Sequence, residues 1–378
     1  MTAVRDAGPV EEWEVLEPGT GPVRGAAYLP AEPATVLWGR LPCAADAPVL
    51  RVEPGTEVTV DTVSHEGILE DQGRDPRAFF GRHGEDRVLA DAIAIAASDL
   101  PRAPGVDGPH VVSRPVAVTG ARPGDLLAVT VVETLPRVPY GVVSNRHGRG
   151  ALPGEFPLDG ADVFSVFTRV DETGTHGLMP LGPDSERHAR FPLAPFLGIL
   201  GVAVAGDERP HSVPPGRFGG NLDINLLTAG STLYLPVQVE DALFYTGDPH
   251  FAQGDGEVAL TAMEASLRAT VRLDVMPREE AVARFGDLAG PLAETAEHLV
   301  PTGLDEDLDE AVRDCVRQAV ALLGARYGMD PRYALAYLSA ATDLDVSQVV
   351  DVVKGVHARI RKADFEHGSA AWAGGVAR

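Results

Sequence analysis

Acidic, amide and imidazole side chains are concentrated between residues 218 and 257, which read FGGNLDINLLTAGSTLYLPVQVEDALFYTGDPHFAQGDGE. Asp248 and His250 stand two positions apart, so an extended backbone directs both to the same side. Asp255 and Glu257 repeat that spacing after a turn at glycine. One imidazole among several carboxylates is a donor set that suits Zn²⁺, with one coordination position left for water.

Metal-activated water is the chemistry that this donor set predicts. Bound zinc lowers the pKa of its water to about 7, and the resulting hydroxide can attack a carbonyl carbon. The candidate metal ligands are His250, Asp223, Asp248 and His65. A carboxylate would take the proton and pass it to a leaving amine, and the candidates are Glu257, Glu66 and Asp255. Substrate binding is assigned to Asn221, Gln253 and His110.

Some of these residues also fit an ordinary structural role. Asp255 lies in a Gly-Asp-Gly turn, where aspartate is typical because its side chain caps the turn. His65 and Glu66 follow a predicted strand in SHEG, His110 precedes another strand in GPHVVSRPV, and His147 lies in NRHGRG. Loops on a rigid scaffold carry many functional groups, but isolated histidines are also common on surfaces. Both interpretations stay open at these positions.

Other catalytic motifs are absent from the sequence. It contains no G-x-S-x-G, H-E-x-x-H, P-loop or dinucleotide-binding pattern. Cys43 and Cys315 are the only cysteines, too few and too far apart for a disulfide framework or a thiolate metal site. Cys315 falls on the apolar face of a predicted helix, so we expect it in the core.

The charge of the chain limits its partners. The formal net charge is −23, from 55 acidic and 32 basic residues. This excess argues against nucleic acid and anionic membranes, which require Lys and Arg, and favours a neutral or cationic small molecule. The sequence shows no apolar run of membrane-spanning length and no signal-peptide pattern. We therefore expect a cytoplasmic protein.

Alternating segments predict a mainly β fold that would position these groups. Residues 56–63 and 231–239 alternate, residues 125–133 fit a strand buried on both faces, and the clearest strand is 262–275. The last alternates polar and apolar residues throughout, which predicts a sheet with one solvated face and antiparallel packing, as a sandwich or barrel. The expected divisions are a β-rich part at 1–195 and a central β region at 196–300.

The C-terminal part has helical periodicity. Apolar spacing predicts a helix over 309–327, and the Asp330-Pro331 pair is typical of the start of another, which would end near Ala341. A further helix is predicted near Asp345. We expect a helical part at 301–361 and a flexible tail at 362–378.

The motifs GGNLD, GSTLYLPV and GDPHFAQGDGE resemble those of the acetamidase/formamidase family, as do PFLGILGVA and ARPGDLLAVTVVE. The resemblance covers about residues 50–360. It implies hydrolysis of a short linear carboxamide to a carboxylate and ammonia, a β-rich sandwich or barrel with a smaller α-containing part, and a homo-oligomer. The family motif falls on Asn221, Asp223, Asp248, His250, Gln253, Asp255 and Glu257, and His110 matches a family histidine before a strand.

Two other functions remain open for a fold of this kind, because all-β folds host many unrelated activities. One is a small-molecule-binding protein without catalysis. The other is a metal-dependent oxygenase with two histidines and one carboxylate.

Overall fold

The computed structural model describes residues 13–183 and 185–365. The strands are β1 (Ala27–Leu29), β2 (Val36–Trp38), β3 (Leu50–Val52), β4 (Thr56–Asp61), β5 (Val111–Ser113), β6 (Val116–Val118), β7 (Leu126–Pro136), β8 (Tyr140–Arg146), β9 (Val163–Val170), β10 (His176–Pro180), β11 (His188–Pro192), β12 (Phe196–Val202), β13 (Gly219–Asn221), β14 (Thr232–Pro236), β15 (Phe244–Ala252), β16 (Met263–Glu264), β17 (Leu267–Met276), β18 (Leu292–Glu294), β19 (His298–Asp305), β20 (Asp343–Gln348) and β21 (Lys354–Arg361). The α-helices are α1 (Pro76–Gly81), α2 (Ala90–Ala97), α3 (Arg278–Phe285), α4 (Leu308–Tyr327) and α5 (Pro331–Ala341).

Two large sheets form the fold. One has nine strands in the order β1-β4-β17-β7-β14-β18-β19-β21-β20. The other follows β11-β10-β9-β8-β16-β15-β12-β13, and β5 and β6 join it through β15. Pairing is antiparallel apart from β1 with β4 and β3 with β6. The main apolar core contains Val129 and Leu233 of the first sheet and Leu200 and Phe244 of the second. The predicted mainly β class is therefore confirmed.

Three of the predicted strand segments form strands where they were expected. Strand β4 lies within 56–63, β7 begins within 125–133 and β14 lies within 231–239. Alternating apolar side chains of these strands, such as Val58 and Val60, face the core. A pleated backbone buries every second side chain, which is the reason that the sequence pattern locates these strands.

The solvated face predicted for 262–275 is wrong over its first half. Arg268 is 1% exposed, and its guanidinium donates to both carboxylate oxygens of Asp61 at 2.6 and 2.9 Å. It also donates to the backbone carbonyl oxygens of Glu17 and Pro22. The N-terminal segment therefore covers this polar face, which a local pattern does not reveal.

The C-terminal helices begin and end near the predicted residues. Helix α4 carries Cys315 in the core, as expected. Helix α5 begins after Asp330, whose side chain accepts a hydrogen bond from the backbone N–H of Arg332. The helix predicted near Asp345 is wrong, because β20 and β21 pair there as an antiparallel hairpin. Valine-rich segments favour strands because branching at Cβ suits a pleated surface.

The segment 301–361 is consequently not helical throughout, and the other expected divisions stay predictions. Of the expected flexible tail, Lys362–Asp364 forms a short 3₁₀ turn, and residues 366–378 lie outside the described residues. Among the described helices, none combines the length and apolar character that crossing a membrane requires.

Candidate active site

Histidine and carboxylate side chains from distant segments meet beside a cavity of about 340 Å³. His65 follows β4, His110 immediately precedes β5, and β15 carries both Asp248 and His250. Strand β16 contributes Glu264. The cavity is lined in part by His65, His110, Asn221, Asp248, Glu257, Glu264 and Asp351. These residues, together with Asp223 and His250, are called the central cluster below, and all of them are buried.

His250 lies at the middle of the central cluster and is fully buried. Its Nε2 atom is 3.1 Å from Oε1 of Glu264 and 3.2 Å from Oδ2 of Asp248. Its Nδ1 atom is 3.8 Å from Oδ1 of Asp223. The ring packs edge-on against Phe196, with centroids 5.0 Å apart. One imidazole is therefore surrounded by three carboxylates.

The other two histidines share Asp248. The Oδ1 atom of Asp248 is 3.5 Å from Nδ1 of His65 and 3.8 Å from Nε2 of His110. The two rings meet edge to face, with centroids 5.3 Å apart. Ser212 fixes the orientation of His110 through a 3.0 Å hydrogen bond between its Oγ and Nδ1. Asp248 thus connects all three imidazoles.

Glycine at position 198 of β12 makes room for this arrangement. A Cβ atom there would lie 2.4 Å from Oδ1 of Asp223 and 2.7 Å from both Oδ2 of Asp248 and Cε1 of His250. These distances are well below ordinary van der Waals contact. The side chains converge closely because residue 198 has no side chain.

Three acids of the central cluster have a left-handed backbone. The φ angles of Asp223, Asp248 and Glu257 are 49°, 53° and 45°. For residues other than glycine this region costs on the order of 1 kcal/mol or more. Strain of this kind is concentrated at functional sites, where the surrounding structure enforces it.

Burial and the charges of neighbouring groups shift the pKa values of the acids. Burial raises the pKa of Asp223 to about 7 and raises that of Glu264. Burial and the neighbouring Asp223 raise the pKa of Glu257 well above its usual range. Burial alone would also raise the pKa of Asp248, but His110 and His250 hold it well below its usual range. The cluster therefore contains acids that ionise at widely different pH.

The histidines also differ from one another. Burial lowers the pKa of His110 to about 4, which leaves its ring neutral at neutral pH. Burial would lower the pKa of His65 as well, but Glu264, Asp248 and Glu66 raise it to about 10. Carboxylates on two sides therefore decide the charge of His65.

Glu66 belongs to a network behind His65. Its carboxylate lies 3.4 Å from Nε2 of His65. It accepts hydrogen bonds from Gln72, Ser144 and Arg146. Burial would raise the pKa of Glu66, but Arg146 and these contacts lower it to about 2. Glu66 is thus an ionised group that orients His65.

The central cluster fits a cation. Within residues 13–183 and 185–365 its acids form no ion pair with Lys or Arg, so its negative charge is balanced only by imidazoles and protons. Among the described residues, the buried atoms of the cluster without a hydrogen-bond partner are His65 Nδ1, Asn221 Oδ1, Asp223 Oδ1 and Oδ2, Asp248 Oδ1, His250 Nδ1 and Nε2, Glu264 Oε2 and Asp351 Oδ2. Three sets of donor atoms lie within 4.8 Å of one another: His65, His110 and Asp248; Asp223, His250 and Glu257; and Asp248, His250 and Glu264. Unpaired donors at these separations are typical of a metal site.

Some residues assigned from the sequence lie elsewhere. Asp255 is exposed and accepts a hydrogen bond from Asn225 in a separate surface groove. Gln253 also lies in that groove, and its Nε2 donates to the backbone oxygens of Asp223 and Ser347. His147 is exposed. Asp255 and Gln253 are close to the central cluster along the chain but do not line its cavity.

Glu264 and Asp351 were missed by sequence reasoning. Glu264 belonged to the face of 262–275 that the alternation marks as solvated, and Asp351 lies in the segment predicted as helix. Glu264 lies in β16 directly opposite His250 of β15. This neighbourhood depends on the pairing of the two strands, so the sequence alone does not show it.

These observations define a class of protein: a mainly β fold with a buried histidine–carboxylate centre of the type used for metal binding and proton transfer. Residues 202–361 match the model of the Acetamidase/Formamidase family, which confirms the resemblance. The chain is 30% identical over 199 residues to the acetamidase of Mycolicibacterium smegmatis, covering 39% of this chain and 49% of that protein. It is 30% identical over 192 residues to the formamidase of Methylophilus methylotrophus, covering 39% and 47%. The chain thus spans about half the length of the curated relatives it matches.

Solved structures show the same fold over most of the chain. The crystal structure of an acetamidase from Bacillus halodurans superposes with a TM-score of 0.68 at 24% identity, covering 90% of this chain and 98% of that one. An acetamidase from Yersinia enterocolitica gives a TM-score of 0.69 at 24% identity, covering 93% and 96%. At this identity the likeness establishes the fold alone.

Proposed function

We propose that this chain is an amidohydrolase that converts a short linear carboxamide, of the acetamide or formamide type, to a carboxylate and ammonia. The observation that carries the proposal is the central cluster, a buried set of histidines and carboxylates that opens into a cavity. The match of residues 202–361 and the names of the two relatives support the choice of substrate class.

A divalent cation, with Zn²⁺ as the first choice, would be held by His250, Asp223, Asp248 and His65. Mixed imidazole and carboxylate donors suit Zn²⁺, and their unpaired atoms support this assignment. When bound, the cation would supply a water of lowered pKa and would polarise a carbonyl group. Glu66 would keep the ring of His65 oriented through its own network.

Glu257 is the proposed proton carrier, which would take a proton from the attacking water and pass it to the leaving nitrogen. It lines the cavity, and burial together with the neighbouring Asp223 raises its pKa well above the usual range, which makes it a stronger proton acceptor. Asp248 stays ionised beside the histidines. The pKa values of the two carboxylates are displaced in opposite directions, which separates the proton carrier Glu257 from the anionic metal ligand Asp248 within one site.

Asn221 and His110 are proposed to orient the amide. In the described part of the molecule the Oδ1 atom of Asn221 is buried without a hydrogen-bond partner, and the residue lines the cavity, so it can accept from an amide N–H. His110 is neutral and held by Ser212, which leaves Nε2 directed toward Asp248. Gln253 is assigned a supporting role, because it holds the backbone of Asp223 rather than facing the cavity.

Ammonia release from purified, zinc-supplemented protein tests the proposal. The substrate panel contains formamide, acetamide and larger linear amides, since a cavity of about 340 Å³ admits more than the smallest amides. Glu257→Gln should lower kcat by on the order of 10²–10⁴, the usual contribution of a general acid or base. The exposed His147→Ala variant is the matched control and should keep wild-type activity.

Other outcomes would assign the cavity differently. A folded, zinc-loaded protein that releases no ammonia from any amide in the panel would overturn the proposal. Tight binding of an amide without turnover would instead indicate a binding protein. Oxygen consumption with bound iron would indicate an oxygenase, for which the two histidines and one carboxylate at His65, His110 and Asp248 are a suitable donor set.

We further propose a homo-oligomeric assembly and a cytoplasmic location, as the resemblance and the composition suggested. Light scattering on the purified chain tests the first, and fractionation of cells tests the second. Neither property is needed for the chemistry proposed above.

A further inference from the structure

A second group of possible metal ligands lies outside the central cluster. Asp255, Asp345 and His357 present donor atoms that all lie within 4.8 Å of one another. Asp345 and His357 are paired across the hairpin of β20 and β21. Asp255 reaches them from the loop between β15 and β16. These three residues are called the hairpin cluster.

His357 is arranged as a metal ligand usually is. It is 1% exposed, and its Nδ1 forms a 2.8 Å hydrogen bond with Oγ of Ser347. Its Nε2 is buried, has no hydrogen-bond partner in the described residues, and lies 3.9 Å from Oδ2 of Asp345. A ligating histidine typically has one nitrogen held by an outer partner, which fixes the ring and leaves the other nitrogen for the metal.

The charge around His357 also favours a cation. Arg359 donates to Asp345 at 2.6 Å and lies 3.3 Å from Asp343. One guanidinium therefore faces three carboxylates when Asp255 is included. Two negative charges remain without a basic partner among these groups, the charge that one divalent cation offsets.

We propose that the hairpin cluster is a second metal site, in which Nε2 of His357 and carboxylate oxygens of Asp255 and Asp345 bind a divalent transition cation such as Zn²⁺. One imidazole with two carboxylates is a common donor set for this ion, with water completing the coordination. Asp255 lines an open surface groove, so an ion can enter from solvent. The assignment does not depend on the amidase activity proposed above.

The position of the hairpin cluster gives the second ion a structural role. The backbone N–H of Gly256 donates to the carbonyl of Ser347, and the N–H of Val349 donates back to that of Gly256. The loop that contains Asp255 also contains Glu257, and the hairpin also contains Asp351. A cation bound between them would tie together the two segments that bring these acids to the cavity.

Zinc stoichiometry tests the second site. The chelator-treated full chain is reloaded with Zn²⁺, separated from free ion by gel filtration, and its zinc is measured by mass spectrometry. We expect Asp255→Asn and His357→Gln each to hold one zinc per chain fewer than the wild type. Co²⁺ loaded in place of Zn²⁺ should show a visible absorption band that the same variants lose. The central cluster does not affect the comparison, because it is intact in every protein compared.

Asp343→Asn is the matched control. The substitution removes a carboxylate that lies in the same hairpin and contacts the same arginine. Asp343 is not one of the three donors, so the zinc content of this variant should equal that of the wild type. Asp255 is exposed, and its variant is expected to fold even if the His357 variant does not. Equal zinc content in wild type and Asp255→Asn, or a wild type that retains no zinc, would overturn the second site.

Discussion

Adding one methyl group at Gly198 should disable the central cluster without breaking the fold. Alanine at this position would place Cβ 2.4 Å from Oδ1 of Asp223, whereas ordinary contact begins at 3.4 Å. Asp223 must therefore move by about 1 Å, and a misplacement of that size commonly costs on the order of 10² in rate. The backbone of β12 is extended at this residue, so alanine itself is tolerated there.

The assay compares kcat/KM for ammonia release with the free energy of unfolding. Gly198→Ala should lower kcat/KM by about 10²-fold and destabilise the fold by about 1–3 kcal/mol, as overpacking usually does. Zinc affinity should fall together with activity, because the same atoms must move.

Gly201→Ala, three positions along β12, is the control. Its Cβ would lie 2.4 Å from the ring of Tyr245, which packs in an apolar cluster on the other side of the strand. This variant should be destabilised to a similar extent and yet keep its kcat/KM. A folded Gly198→Ala protein with wild-type kcat/KM and zinc affinity would refute the argument that residue 198 must lack a side chain.

Three further outcomes are expected. Asp61→Ala leaves the buried guanidinium of Arg268 without its carboxylate partner and should lower the free energy of unfolding by about 3–5 kcal/mol; urea denaturation measures it, and a loss near zero would contradict the pairing. Hydrogen bonds from neighbouring groups lower the pKa of Asp171 to about 2, so its contribution to stability is present above about pH 4 and is lost as the pH falls toward 2. The stability difference between wild type and Asp171→Asn should therefore shrink on acidification, and a constant difference would count against that pKa. Gln253→Leu removes the donor to the backbone of Asp223 and should lower kcat more than it changes KM; unchanged steady-state kinetics would show that this support is dispensable.

Local patterns were sufficient for the strands that alternate and for the helices with caps. The prediction of β4, β7, α4 and α5 needed only the spacing of apolar residues and one aspartate before a proline. The hairpin of β20 and β21 was missed because a valine-rich segment fits helical and extended spacing alike. Its pairing depends on contacts between residues 7 to 16 positions apart, which periodicity does not describe.

The residues of the site were predictable where a local motif or the end of a clear strand marked them. Asp248 and His250 were found because both lie in that motif, and His65 because it follows a clear strand. Asp255 shared the motif but turned outward, since only one side of the loop faces the cavity. Glu264 and Asp351 reach the cavity through strand pairing and a hairpin turn, which no local signal encodes.

The residues around the cavity come from segments between positions 65 and 351, and both large sheets must pair before these segments meet. Contacts so far apart in sequence form late, because the entropy of closing long loops must be offset first. When the β20–β21 hairpin has not yet formed, most of the donor residues can already be in place. Asp351 and the backbone contacts that anchor the loop of Glu257 are then still missing. We therefore expect the complete site to form only at the end of folding. Partly folded chains would expose its acids and histidines before these groups can act together.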